Sequence, residues 1–493
     1  MKYFMGIDIG TSSVKSLLMR EDGAVAGTAQ REYDIVKREV EYAEQDMEAI
    51  WEAVKETLQE LAGTYPGQAA RTVGISYSGQ MHGLVMVDCC GAPIRDAIIW
   101  ADQRSGEQVK EVYSVIGEEP FKQVTLNDLS SGFLLSSLLW VREHEPENYG
   151  RAYKVLLPKD YIRMKMCGGF ATDQSDASAA MVYDTRKGEW AWDFIDRLGL
   201  RRELFPECHE SYEIAGELSG SCAEETGLPA GIPITYGGGD SLMQEIGNGV
   251  VGEDSPWICN IGTSCSLNCA AEQPLYDPEF RTNTFCHVKE NLWMLMGANL
   301  CGGLVLKWLK NQVFYMPSYD SMTALAETVP AGSGGLLFLP YLNGSRCPVN
   351  DPKARGVYVG LTLEHSREHL IRSAMEGIIF GMRTSMDIFE QLGIHTGRLI
   401  ASGGGARGRL FLQMEADILG KEVVTVEGEE QACMGAAITA AVGTGFFRSY
   451  RDACGALIRL RPETVRPDAN RVKVYRERYE VYKKIYPQTR ELM

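Results

Sequence analysis

YFMGIDIGTSSVKSLL at 3–18 and PWICNIGTSCSLNCA at 256–270 share one shape: an apolar strand, the turn IGTS and a second strand. A short apolar run bounded by Gly, Thr and Ser reads as a strand entering a tight turn. Two copies at half-chain spacing predict a duplicated fold with a boundary near 250, giving units 1–250 and 251–493.

Outward from the first copy, EDG at 21–23 is a turn and 24–32 a third paired strand. Asp46 is placed to cap a helix from Met47 to about Leu61, with Ile50, Trp51, Val54, Leu58 and Leu61 on one face. A strand at 72–77 ends in SGQMHG at 78–83, and another follows at 84–87. IPITYGGGD at 232–240 is a strand running into a glycine loop, with a helix over 241–251.

Around the second copy, LIASGGGARG at 399–408 is a strand into a glycine turn. RLFLQMEADILG at 409–420 is an amphipathic helix, and EEQACMGAAITAAVGTG at 429–445 is a small-residue helix suited to close packing. Tyr475, Tyr479, Tyr482 and Tyr486 make one aromatic helical face, a docking surface rather than a site. Strands and helices mixed through both halves make the chain α/β.

Composition bounds the function. At 493 residues the chain is too long for one core. Its net charge of −17 argues against nucleic acid as a main partner, which needs a basic stripe. A single nucleotide needs only a few local donors. No stretch of 18 apolar residues is present to span a membrane, and the opening MKYFMGIDIG lacks a secretory layout. The 13 cysteines are scattered without a CxxC pair, which reads as reduced thiols and a cytoplasmic location.

Five constellations carry chemistry. In DIGTSSVK at 8–15, the backbone N–H groups and the hydroxyls of Thr11, Ser12 and Ser13 form a nest for phosphate oxygens. Lys15 adds charge there, and Asp8 is placed to hold Mg²⁺. Alone this is also what an ordinary hairpin turn looks like. A second such turn, with Gly262, Thr263 and Ser264, turns the pair into a grip on one polyphosphate. In GGGD at 237–240, Asp240 suits a general base for a hydroxyl proton, or simply a helix N-cap. GGGARG at 403–408, ahead of a helix, suits an adenosine and its α-phosphate. Gln80, Met81 and His82, with Trp100, Asp102 and Arg104, mix donors, acceptors and flat apolar surface in the manner of a small polyol or sugar pocket. HSREH at 365–369 matches a zinc-protease pattern. His365 falls before the helix that starts near Ser366, so the two histidines do not share a helix face.

DIGTSSVK, SGQMHG, WADQR, LLPKDYIRMKMCG, GGGD, NIGTS, FLPYLNGSRCP, ARGVYVGL and SGGGARGRLFLQMEADILG stand in an order that resembles the FGGY carbohydrate kinases, most of all the xylulokinases, from about residue 3 to 445. The resemblance implies two actin-like, ribonuclease-H-like ATPase domains with a cleft between them, sugar on the first and ATP on the second. By position it makes Asp240 the base and Asp8 the carboxylate near Mg²⁺. Gln80, Met81, His82, Trp100, Asp102 and Arg104 then face the sugar. Thr11, Ser12, Ser13 and Lys15 become the first phosphate loop, Gly262, Thr263 and Ser264 the second, and Gly403, Gly404, Gly405 and Ala406 the adenosine loop. It implies phosphorylation of D-xylulose to D-xylulose 5-phosphate, with ribulose, glycerol or gluconate as other acceptors; an actin-like ATPase is the reading from a different class. A dimer through the second domain is a common pattern of the family. The chain departs from the usual motifs at Ser241, Ser345, Cys347 and Ser136–Ser137, and those in the GGGD and GSRCP segments bear on the identity of the sugar.

Overall fold

The computed structural model describes residues 1–493 and contains two α/β lobes whose sheets repeat one strand order. The first sheet is built on β1 (Tyr3–Ile9), β2 (Ser13–Arg20), β3 (Val25–Glu32), β4 (Thr72–Gly79) and β5 (Pro233–Thr235). The second is built on β6 (Trp257–Ile261), β7 (Cys265–Ala271), β8 (Trp293–Asn299), β9 (Arg398–Gly403) and β10 (Glu422–Thr425). β1 pairs antiparallel with β2 and parallel with β4, and β6 does the same with β7 and β9. Read across, the orders β3–β2–β1–β4–β5 and β8–β7–β6–β9–β10 are equivalent. The IGTS repeat is therefore the first hairpin of each copy. The turns differ by one residue: Ile9 faces Val14 across the first, and Ile261 faces Cys265 across the second.

The helices follow the polar–apolar pattern closely. α1 (Met47–Thr64) starts where Asp46 accepts from the N–H groups of Glu48 and Ala49, and buries Ile50, Trp51, Val54, Leu58 and Leu61. It runs one turn's length past the expected end. α2 (Pro158–Cys167), α3 (Gln174–Ala179) and α4 (Asp240–Gly247) support the first lobe near the cleft. α5 (Gly303–Trp308), α6 (Arg367–Gln391) and α7 (Arg409–Leu419) belong to the second. α8 (Gln431–Gly443) comes late in the chain but packs on β1, β4 and α4 of the first lobe. Its small residues make this possible. A Cβ on Gly435 would sit 1.9 Å from the Met243 carbonyl, and one on Gly6 would sit 1.9 Å from the Cys433 carbonyl. α9 (Ala469–Thr489) docks Tyr475, Tyr479 and Tyr482 against the second lobe, where Phe380 of α6 meets all three rings.

Register decides what meets at the cleft. Asp8 lies opposite Ser78 on β4, and Ser78 lies opposite Gly238, whose short strand Gly238–Gly239 runs parallel to β4. The carboxyl ends of three parallel strands thus share one row, the place where open α/β sheets bind ligands. Asp240 follows at once, as the first residue of α4.

Candidate functional site

Two carboxylates stand at that row. Asp8 Oδ1 accepts from the Ser78 hydroxyl at 2.6 Å, and its other oxygen has no protein partner. Burial pushes its carboxyl up to about 7, aided by nearby Asp240 and opposed by the Ser78 bond and Lys15. Burial pushes Asp240 up to about 6, opposed by two bonds donated to Oδ1, from the Ser241 backbone N–H at 2.6 Å and the Ser241 hydroxyl at 3.2 Å. Asp240 is not an N-cap: Gly239 holds that position, and no side chain caps the helix. Ser241, one of the departures, touches the candidate base directly.

The acceptor pocket forms around His82. Its backbone is left-handed, with φ 71°, a sparsely populated conformation for a residue with a Cβ. Nδ1 lies 2.7 Å from the Ala179 carbonyl, which can only accept, so Nδ1 carries the proton. Burial holds the imidazole well below its usual range, at about 3, so the ring is neutral and Nε2 keeps a bare lone pair. The ring stacks on Phe133 at 3.8 Å. Met81 packs where a Cβ on Gly239 would fall, 2.7 Å from its Cγ, which puts this loop beside the GGGD turn. Trp100 Nε1 donates to Thr11 Oγ1 at 2.9 Å and so ties this wall to the first glycine turn. Gln80 donates to Gln45 at 2.6 Å, while its own buried Oε1 has no partner.

Asp102 and Arg104 are placed differently from the sequence expectation. Arg104 grips Asp102 with Nε and Nη2, reaches Glu44 at 2.8 Å and lies 3.4 Å from the centre of the Tyr42 ring. Asp102 is fully buried and also accepts from the Ala43 N–H. Their hydrogen-bonding capacity is spent within the protein, beneath the pocket wall.

The glycine turns separate in the same way. Lys15 faces Asp8 across the hairpin but bonds Glu430, ahead of α8, at 2.7 Å. Ser12 is exposed and Ser13 half-buried at the turn. In the second lobe Ile261, Gly262, Thr263, Gly404 and Gly405 line one cavity of about 520 Å³. Arg407 and Phe411 of the same glycine-turn and helix stretch also line it, as do Lys307 of α5, Tyr319 and Met322, which fall in no motif. Ser264 is exposed beside Thr263, and Gly403 and Ala406 flank the lining glycines rather than face the cavity. Gly403 has φ 73°, and a Cβ there would strike Asn260 and Ile261 at 2.7 Å, so only glycine fits.

A support missed in the sequence runs through α3. The Ser175 hydroxyl donates to Asp173 at 2.6 Å and accepts the Gly239 N–H at 3.0 Å, one residue before Asp240. Ala179 holds His82, and Ser178 accepts the Cys286 N–H from the second lobe at 3.1 Å. Beneath them Lys159 contacts Asp160, Asp173 and Asp176 at 2.5, 2.9 and 3.2 Å, all fully buried. Burial alone would lower the Lys159 ammonium; the three carboxylates reverse this and raise it. The Ser- and Asp-rich run TDQSDAS gave no periodic signal, so nothing in it pointed to this role.

His365 bonds the Thr362 N–H and His369 caps α6 through Ser366. No group of three or more His, Cys, Asp or Glu side chains is arranged to hold a metal. Asp8, with one oxygen free of protein partners, fits Mg²⁺, which takes one or two carboxylates and fills its shell with phosphates and water. No helix is long and apolar enough to cross a membrane.

Residues 3–247 match the N-terminal domain, and residues 258–444 the C-terminal domain, of the FGGY family of carbohydrate kinases. A xylulose kinase of Bacillus subtilis is 35% identical over 492 residues, covering 100% of this chain and 98% of that relative. A gluconokinase of the same organism is 30% identical, covering 92% of this chain and 90% of its own length. The crystal structure of a xylulose kinase from Rhodospirillum rubrum superposes with a TM-score of 0.92 at 27% identity, covering 100% of this chain and 99% of that one.

Proposed function

The chain belongs to the FGGY family of carbohydrate kinases, with that family's actin-like two-domain fold, and on that premise we propose that it phosphorylates D-xylulose to D-xylulose 5-phosphate. It is a sugar kinase that uses ATP with Mg²⁺; the acceptor and the roles below are the proposal. The observation that carries it is the meeting of Asp240, Asp8 and the bare Nε2 of His82 at one end of the first sheet.

The acceptor lies between Trp100, Met81 and Phe133, with one hydroxyl donating to His82 Nε2. The terminal hydroxyl faces Asp240, whose carboxylate accepts its proton as the oxygen attacks the γ-phosphorus; ADP leaves on the opposite side. Burial raises the basicity of Asp240, and Ser241 keeps it ionised near neutral pH. Bound Mg²⁺ supplies positive charge at the phosphates, and Asp8, with one oxygen free, is the residue that would hold it. Gly262, Thr263, Gly404 and Gly405 cradle the nucleotide in the second-lobe cavity, and Thr11, Ser12, Ser13 and Lys15 face the transferred group from the first.

The test is ADP release with MgATP and a panel of D-xylulose, L-xylulose, D-ribulose, glycerol and gluconate. Turnover of D-xylulose that disappears in Asp240→Asn, with ATP binding kept, supports the reading. Faster turnover of gluconate would reassign the acceptor. ATP hydrolysis indifferent to every sugar would reject a kinase role.

A further inference from the structure

The FLPYLNGSRCP segment holds a cation with nothing to bind. Arg346 makes no hydrogen bond or ion pair with any residue of the chain, and burial lowers its guanidinium from its ordinary value. The chain's most buried arginines each have protein partners for their guanidinium. Arg104 holds Asp102 and Glu44, Arg163 donates to the carbonyls of Gly168, Gly169 and Ala171, and Arg372 holds Glu376 and Tyr475. Arg346 is half-buried at the cleft, and a guanidinium there with no protein acceptor has its donors free for a ligand.

The loop is built to present this one side chain. Ser345 and Asp351 exchange backbone hydrogen bonds at 2.9 and 3.0 Å, and the Cys347 N–H donates to Ala298 at 3.2 Å. Ser345 and Cys347 turn into the second lobe, where Cys347 Sγ meets the Ser385 hydroxyl at 3.3 Å. These two departures from the family motif therefore face away from the acceptor pocket. Arg346, between them, crosses to the first lobe. Its guanidinium carbon lies 6.0 Å from the Trp100 ring centre and 5.7 Å from that of Phe133, the ring on which His82 stacks. Its charge is felt at His82.

We propose that Arg346 is a second-lobe acceptor-binding residue that donates to a carbonyl or carboxylate oxygen of the substrate and so selects ketoses and sugar acids over polyols. The proposal rests on the kinase reading above. Guanidinium only donates, and His82 Nε2 only accepts. Together they read an oxygen acceptor beside a hydroxyl, a pattern that a ketose or a sugar acid carries and an all-hydroxyl chain does not. Because Arg346 comes from the opposite lobe, the bound sugar also bridges the cleft.

The experiment compares wild type, Arg346→Ala and Arg346→Lys with D-xylulose, gluconate and xylitol under MgATP. The expected result is a roughly 10–100-fold rise in the KM of the favoured acceptor in Arg346→Ala. The KM for MgATP stays within about twofold, and the preference for that acceptor over xylitol shrinks by a similar factor. Arg346→Lys recovers part of both. The melting temperature without ligand stays equal or rises, because the half-buried charge that is removed makes no hydrogen bond or ion pair in the free protein. An unchanged acceptor preference in an active variant, a rise confined to MgATP, or a drop in melting temperature of several degrees would each overturn the assignment. Wild type inactive on every sugar would instead remove the kinase reading on which it rests.

Discussion

The sharpest test of Asp240 is the acid limb of the rate profile. A base must be ionised to accept a proton, so activity falls as pH falls through its pKa. With Asp240 at about 6, kcat/KM for the acceptor at saturating MgATP is roughly tenfold below its plateau at pH 5. Ser241 sets where that limb lies. Its hydroxyl donates to Asp240 at 3.2 Å, while its backbone N–H donates at 2.6 Å and survives substitution. Losing one longish charged hydrogen bond is worth about 1 kcal/mol, which moves the limb up by roughly 0.7 pH. Ser241→Ala is then about threefold slower than wild type at pH 6 and indistinguishable at pH 8. Ser241→Asn, which restores a donor, returns the limb toward its wild-type place. The assay is ADP release from pH 5 to 8.5, with coupling enzymes in excess at each pH. A wild-type limb below pH 5, or superimposable wild-type and Ser241→Ala profiles, would refute the reasoning.

Two further outcomes separate support from chemistry. Glu415 of α7 is fully buried beneath Gly405 with only the weak thiol donor of Cys259 beside it, and burial pushes it up from 4.5 to about 8. The folded state holds this proton more tightly than the unfolded state. Its contribution to stability is therefore complete below about pH 4.5 and is lost as pH rises through 8, about 1.4 kcal/mol per pH step. Urea unfolding of Glu415→Gln should lose this dependence and gain about 4 kcal/mol on wild type between pH 5 and 8; parallel curves would contradict it. Arg104→Leu leaves Asp102 a buried charge without a cation, while Glu44 keeps Arg38 and Arg95, and should cost about 3–5 kcal/mol in unfolding, with the acceptor KM within twofold in the folded protein. A large rise in KM at unchanged stability would restore Arg104 to the sugar pocket.

The hairpins, the helix capped by Asp46 and the tyrosine face of α9 were legible because each follows from local periodicity and capping. The meeting of the two carboxylates was legible only in outline. It depends on the register that sets Asp8, Ser78 and Gly238 in one row, and register is decided by tertiary packing. Asp102 and Arg104 have residue types that suit a sugar, and nothing local reveals that Glu44, 58 residues earlier than Asp102, closes the network. Arg346 is hidden for the opposite reason: its neighbours Ser345 and Cys347 carry the departures from the motif, and which of three adjacent side chains faces the cleft is a fact of loop anchoring rather than of composition. The small-residue helix at 431–443 was legible as a close packer, but its partner was not: that it returns to the first sheet, at Gly6 and Met243, is invisible without the fold.

The duplication also shows what the site needs from each copy. Asp8 and Asn260 occupy the same place, each one residue before the end of its central strand and each opposite a serine, Ser78 or Ser402. Only the first copy is charged. Lys15 pairs with Asp8 across the first turn, whereas the residue that pairs with Asn260 across the second is the uncharged Ser266. A second carboxylate at 260 would stand at the mouth of the nucleotide cavity beside Gly403 and repel a polyphosphate at short range in a partly desolvated setting. An amide keeps the shape and polarity of the turn without that cost. The first copy can bear Asp8 because Ser78 and Lys15 offset it and because its free oxygen suits a divalent ion. In the proposed mechanism one turn is the charged, reacting side of the cleft and the other the neutral cradle of the nucleotide, a division of labour that follows from where negative charge can be tolerated.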